Sequence, residues 1–206
     1  MAKKKLIRFK EMEGFPNVVQ PNMDEFWETE FKLKGKWEID FFRNSNPIVL
    51  ELACGKGEYA VNMAKKYPNK NFLGVDIKGA RIWYGAHQAL VENVKNVGFL
   101  RTRIDFIDKF FAESEISEIW ITFPDPQPQE SRERKRLTAP IFIDRYKKFL
   151  EPNGLLNLKT DADSFFDYTL AQIKERNYRM INKFENIYNQ QNEIPEELDH
   201  LYTVKT

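Results

Sequence analysis

Apolar runs of strand length alternate with amphipathic runs of helix length along most of the chain. "NPIVLEL" (46–52) reads as a buried strand, followed by a helix through "GEYAVNMAKKYP". "NFLGVDI" (71–77) is a second strand and "GARIWYGAHQALVENV" a second helix. "VGFLRT" gives a third strand with a short helical piece after it, and "SEIWITF" (117–123) a fourth, followed by a helix over "TAPIFIDRYKKFL". The turn "EPNG" delivers "LLNLKT" (155–160) as a fifth strand. "SFFDYTLAQIKERN" reads as a helix, and "YRMINKFENI" and "LYTVKT" as closing strands. Strands that are apolar almost throughout, separated by helices, imply a mostly parallel sheet covered on both faces, hence a doubly wound α/β domain. Residues 1–45, rich in aromatics and charge, read as an N-terminal extension packed on or beside the sheet, and 46–206 as the main body of one globular domain.

A length of 206 residues suits one continuous core, and 42% hydrophobic with 31% charged residues is an ordinary globular composition. No run approaches the roughly 18 apolar residues that mark a membrane span. "MAKKKLIRFKEMEGF" is basic but lacks the apolar centre of a secretory signal. The single cysteine, Cys54, excludes an intramolecular disulfide, and with His87 and His200 it has no zinc-like spacing. A reduced, cytoplasmic, metal-free protein is the economical expectation. Net charge is only +1, yet the cations cluster in "MAKKKLIRFK", "RERKR" and "DRYKK". Such runs are ordinarily solvated faces unless a site lies beside them.

A site does lie beside one of them. In "LELACGKGEYA", Gly55 and Gly57 let the backbone approach a ligand just ahead of a helix N-terminus. Asp76 ends the second strand about 20 residues on, where a carboxylate accepts hydrogen bonds from ribose hydroxyls. The pair predicts an adenosine-containing cofactor. Gly55-x-Gly57-x-x-Ala60 also satisfies the dinucleotide fingerprint, a weak signal alone. Glu51, inside the end of the first strand, would repel a pyrophosphate and suits a cationic ligand, so the charge favours S-adenosylmethionine.

"LELACGKGEY", "NFLGVDIKGAR", "FPDP", "KRL" and "LKTD", in this order, resemble the bacterial tRNA (guanine-N7)-methyltransferases, from about Asn46 to Asp161 and more weakly to the end. The resemblance implies a class I, Rossmann-like methyltransferase domain with a seven-stranded sheet, and S-adenosylmethionine over the carboxyl ends of the early strands, leaving S-adenosylhomocysteine. It assigns the cofactor to Glu51, Cys54, Gly55, Gly57, Asp76 and Arg103. The last of these stands where the family has an acidic or amide group beside the adenine, with Asp105 as its substitute. The family's motif has glycine where this chain has Ala53, a change that costs little if the backbone there is extended.

Pro124 and Pro126 fix the backbone around Asp125 and bias the residue before each toward extended geometry. Guanine N7 carries an in-plane lone pair and needs no deprotonation, so catalysis rests on positioning, and a carboxylate holding N1–H and the N2 amino group would aim N7 at the methyl and reject adenine. Asp125 is the catalytic candidate, as the resemblance also implies. Gln129 stands where the family carries lysine. Arg132, Arg134 and Arg136, with Lys135, suit the phosphates of a tRNA. Asp161 suits either the bound nucleotide or the N-cap of the next helix, and Thr206 begins the family's T-x-Y-E substrate motif. Monomer and homodimer both remain open. Other readings of the same residues are an amino methyltransferase, a nicotinamide oxidoreductase, or a non-catalytic tRNA-binding protein.

Overall fold

A computed structural model describes residues 2–22 and 29–204. Its sheet has six strands, all paired in parallel: β1 (Val18–Val19), β2 (Ile48–Leu52), β3 (Asn71–Asp76), β4 (Val97–Arg101), β5 (Ile116–Thr122) and β6 (Leu150–Lys159). Their spatial order is β1-β4-β3-β2-β5-β6. From β2 the chain lays strands outward to β4, then returns to the other side of β2 for β5 and β6. The reversal leaves a crevice at the carboxyl ends of β2 and β5, where doubly wound sheets hold ligands.

Side-chain alternation sorts the core into two layers. Ile48, Leu50, Leu52, Leu73, Val75, Ile119 and Ile121 point to one face, packing with Trp37, Phe110, Phe142 and Tyr146. The helix α4 (Pro140–Tyr146) and a π-helical turn (Trp37–Phe42) lie on that side. Val49, Phe72, Phe99 and Trp120 point to the other face, beneath α2 (Glu58–Lys66) and α3 (Gly79–Val91). Glu51, Asp76 and Thr122 share the parity of this second face. Glu51 is paired with Gly74 and with Trp120, so Asp76 and Thr122 each stand two residues further along the flanking strands.

Residues before Asn46 enter the fold at three places. The helix α1 (Ala2–Met12) packs through the buried Met12 in the second layer, and β1 extends the sheet beyond β4. Trp37 is fully buried and donates its Nε1–H to the Phe110 carbonyl at 2.9 Å.

The sheet departs from the seven strands expected: among the described residues there are six. β1 is added at one edge, and neither expected closing strand forms. Met180 and Ile181 of "YRMINKFENI" are 49% and 60% exposed, while Phe184 and Ile187 pack against the second layer without pairing to the sheet. In the last segment Ile194, Leu198, Leu201 and Tyr202 recur at helical spacing, and the short helix α6 (His200–Thr203) forms instead, after α5 (Asp163–Glu175). β6 begins earlier than expected: Ile116 pairs with Leu150 and Glu118 with Leu155, with "EPNG" bulging between.

Candidate functional site

The crevice is built on three adjacent strand ends. After β2, the loop 53–57 turns sharply with Ala53 at φ 58, Gly55 at φ 57 and Gly57 at φ 72, all left-handed. The Gly57 N–H donates to the Cys54 carbonyl at 2.8 Å, and the Cys54 N–H to Val75 of β3 at 3.0 Å, so the loop is pinned to its neighbour strand. A Cβ added at Gly57 would lie 2.3 Å from the Phe99 ring, and one at Gly85 would lie 2.5 Å from the Lys56 carbonyl oxygen. These glycines are packing requirements, where α3 and Phe99 press against the loop. Gly55 differs: its added Cβ would meet nothing closer than the Ala53 carbonyl oxygen at 4.0 Å. The loop is therefore open at Gly55, as the close approach of a ligand requires.

Asp76 is buried, and its two oxygens accept the backbone N–H groups of Gly55 at 3.0 Å and Lys78 at 2.7 Å. The expected ribose acid thus sits directly against the expected glycine loop, with lone pairs left over, since a carboxylate has about four acceptor sites. Glu51 is 4% exposed; Oε2 accepts the Ala60 N–H at 3.0 Å in the first turn of α2, and Oε1 accepts the Thr122 hydroxyl at 2.6 Å. Burial pushes its pKa up to about 7, against the pull of those two donors, and the nearby Asp76 carboxylate adds to the rise. Burial likewise raises the Cys54 thiol well above its ordinary value, with Glu51 and Asp76 adding to it. The Cys54 sulfur rests on the β3 backbone, 3.0 Å from a Cβ built on Gly74, so this residue packs the loop rather than lining its open side.

Arg103 is exposed and does not stand alone. Its Nε and Nη2 donate to one Asp105 oxygen at 3.2 and 3.1 Å, so the two alternatives for the adenine side form one ion pair beyond β4.

After β5, the rim loop begins at Phe123, whose N–H donates to the Lys159 carbonyl at 2.8 Å. Phe123 precedes a proline yet adopts φ 44, where extended geometry was expected. The β6 hydrogen bond overrides the local preference, and the exposed ring lies 5.5 Å from the Lys159 ammonium. Asp125 is exposed, and its Oδ1 accepts the Gln127 N–H at 3.1 Å, closing a turn with Gln127 at φ 47.

The basic segment forms a 3₁₀ turn (Glu130–Lys135) that follows Gln129. Gln129, Arg132 and Arg134 are exposed. Arg136 is engaged inside the protein: its Nε donates to the Gln127 carbonyl at 3.2 Å and its guanidinium lies 4.4 Å over the Tyr168 ring. Asp161 is exposed after β6. It does not cap α5, whose N-cap is Ala162 without a side-chain bond, while Thr160 Oγ1 accepts the Ala162 N–H. Thr206 lies outside the described residues.

Two residues escaped the sequence reading. Thr122 joins Glu51 across the strand reversal; its one signal was a hydroxyl directly after the apolar run Ile119–Ile121. Lys159 is buried and donates Nζ–H to the Leu201 carbonyl at 2.7 Å, fastening α6, while burial lowers its pKa. His200 of α6 packs against Trp120 and shares a hydrogen bond with the Tyr67 hydroxyl at 3.1 Å. No group of three or more His, Cys, Asp or Glu able to hold a metal occurs among the described residues.

A family profile described as a putative methyltransferase matches residues 45–205. A tRNA (guanine-N(7)-)-methyltransferase of Christiangramia forsetii is 51% identical over 187 residues, 91% of this chain and 84% of that one. Its counterpart in Bacteroides fragilis is 51% identical over 175 residues, 85% of this chain and 69% of that one. A solved structure of a 16S rRNA methyltransferase, KamB, superposes with a TM-score of 0.54 at 14% identity, over 84% of this chain and 89% of that one, a likeness of fold alone.

Two measurements check this geometry. A left-handed alanine costs roughly 1–2 kcal/mol, so Ala53→Gly is expected to raise stability by about 1 kcal/mol, a few degrees in Tm; a lower Tm contradicts the loop conformation. For Glu51, a folded pKa of about 7 against an ordinary 4.5 means that the folded state holds the proton more tightly. The stabilisation is full below about pH 4.5 and is lost as pH rises through about 7, a difference of about 3 kcal/mol. Glu51→Gln should remove that slope from the stability–pH curve; parallel curves contradict it.

Proposed function

The chain belongs to the tRNA (guanine-N7)-methyltransferase family, and from that premise we propose that it transfers a methyl group from S-adenosylmethionine to N7 of a guanosine in tRNA. The observation that carries this reading is the convergence of the open glycine loop, Asp76 and the Asp125 loop at the strand reversal. In it, residues 46–206 form the methyltransferase domain and residues 1–45 an extension built onto its sheet.

When bound, S-adenosylmethionine supplies an electrophilic methyl on a sulfonium. The chain's residues bind and aim. The backbone at Gly55 receives the cofactor, with Asp76 on the ribose hydroxyls and the Glu51 carboxylate favouring a cation nearby. Cys54 and Gly57 hold the loop's shape beneath it, and Arg103, neutralised by Asp105, borders the adenine side. Asp125 accepts hydrogen bonds from guanine N1–H and the N2 amino group, directs N7 toward the methyl, and stabilises the positive charge growing on the purine. No group need remove a proton before attack. Asp161, exposed just after β6, contacts the bound nucleotide. Gln129, Arg132 and Arg134 meet the RNA backbone, while Arg136 braces the Asp125 loop through Gln127. Thr206 contributes to substrate contact, as the family motif implies.

Asp125→Ala should lower methylation of unmodified tRNA by at least about a hundredfold while S-adenosylmethionine affinity stays within a fewfold; retained turnover contradicts the role. Reversing Arg132 and Arg134 to Glu should weaken tRNA binding and reduce the slope of log affinity against log salt by about 2. An unchanged slope returns those arginines to an ordinary solvated surface.

A further inference from the structure

Thr122 ends β5, 7% exposed, and its hydroxyl donates to Glu51 Oε1 at 2.6 Å across the boundary where the strand order reverses. On one side of that bond β2 runs into the glycine loop. On the other, Phe123 follows Thr122 and opens the loop that carries Asp125. The remaining Glu51 oxygen is held by the Ala60 N–H of α2, so the carboxylate is clamped between a helix and the neighbouring strand. The ionisable groups around it are Asp76 from β3, Cys54 from the loop and Tyr59 from α2. Beyond Thr122 stands its partner on β6, Lys159, whose ammonium lies 6.0 Å from the Tyr59 ring and is spent on the Leu201 carbonyl. Asp76 is itself a carboxylate, and burial keeps the thiol and the phenol neutral. None of the groups that shift Glu51 is a cation. A buried carboxylate that no cation touches depends on its hydrogen-bond donors for orientation and for ionisation.

Resting on the reading that S-adenosylmethionine is the donor, we propose that Thr122 is a positioning residue for methyl transfer: its hydroxyl fixes the Glu51 carboxylate and ties the cofactor loop to the strand end that sets Asp125. A methyl in place of the hydroxyl keeps the shape of the side chain but leaves Glu51 Oε1 without its donor. The charged form of Glu51 then becomes less favourable, and its attraction for a cationic ligand falls at neutral pH. Serine keeps the donor.

The test is calorimetric binding of S-adenosylmethionine to wild type, Thr122→Val and Thr122→Ser between pH 6 and 9, with Tm recorded for each. Thr122→Val should weaken binding about tenfold at pH 7 and shift the midpoint of the affinity–pH curve upward, affinity recovering at the alkaline end. Thr122→Ser should track wild type. Should the valine variant fail to fold, Thr122→Ala removes the same hydroxyl and is held to the same result. A hydroxyl-free variant with unchanged affinity and midpoint, or a serine variant that behaves like valine, overturns the proposal while leaving the methyltransferase reading intact. A wild-type protein that does not bind S-adenosylmethionine overturns both.

Discussion

Everything at the site hangs on one topological fact: β2 and β5 are neighbours although 63 residues separate the last residue of one from the start of the other in the chain. Because the strand order reverses there, the loops after β2 and β5 leave in opposite directions and open a crevice between them. The hydrogen bond from Thr122 to Glu51 closes the base of that crevice. The glycine loop with Asp76 forms one wall, and the loop through Asp125 the other. In the proposed reading, a cofactor seated on the open side of Gly55 would be presented to the exposed Asp125 carboxylate of the facing loop.

The crevice also carries three of the eight non-glycine residues with positive φ among the described residues. Ala53, Phe123 and Gln127 are three non-glycine residues in left-handed conformations, all on its rim. Each is held by a bond or contact to a better-supported element: the loop 53–57 to β3 through Cys54, Phe123 to β6 through Lys159, and Gln127 to Asp125 and to Arg136. Strained backbone persists only where its surroundings over-determine it. Here the surroundings are a parallel sheet whose inner strands are buried, and the helices covering them. Arg136 illustrates the division of labour within one basic run: it stiffens the wall, while Arg132 and Arg134 remain exposed to solvent.

The sheet was legible because its inner strands are buried and so read as short, mostly apolar runs; β2, β3, β4 and β5 fall within a residue or two of their expected ends. Glu51 and Asp76 were legible because a carboxylate at the end of such a run stands out, and Gly55 because a glycine pair opens the helix that follows. Ala53 was misread, since φ is invisible where alanine replaces glycine and only the fixed path of the loop forces the left-handed turn. Phe123 was misread for the same kind of reason: a long-range bond to β6 defeats the preference that Pro124 imposes locally. Arg103 and Asp105 looked like alternatives because a sequence does not show that two side chains in one turn satisfy each other. The closing segment was read as strand because period-2 and helical apolar spacing overlap over so few residues. Its burial against Trp120 and Lys159 decides for helix.

The most direct measurement is transfer of labelled methyl from S-adenosylmethionine to unmodified tRNA by this protein, with the product nucleoside identified by mass spectrometry. The account predicts 7-methylguanosine. A methyl group on an exocyclic amine, or no product at all while the cofactor is bound, would contradict it.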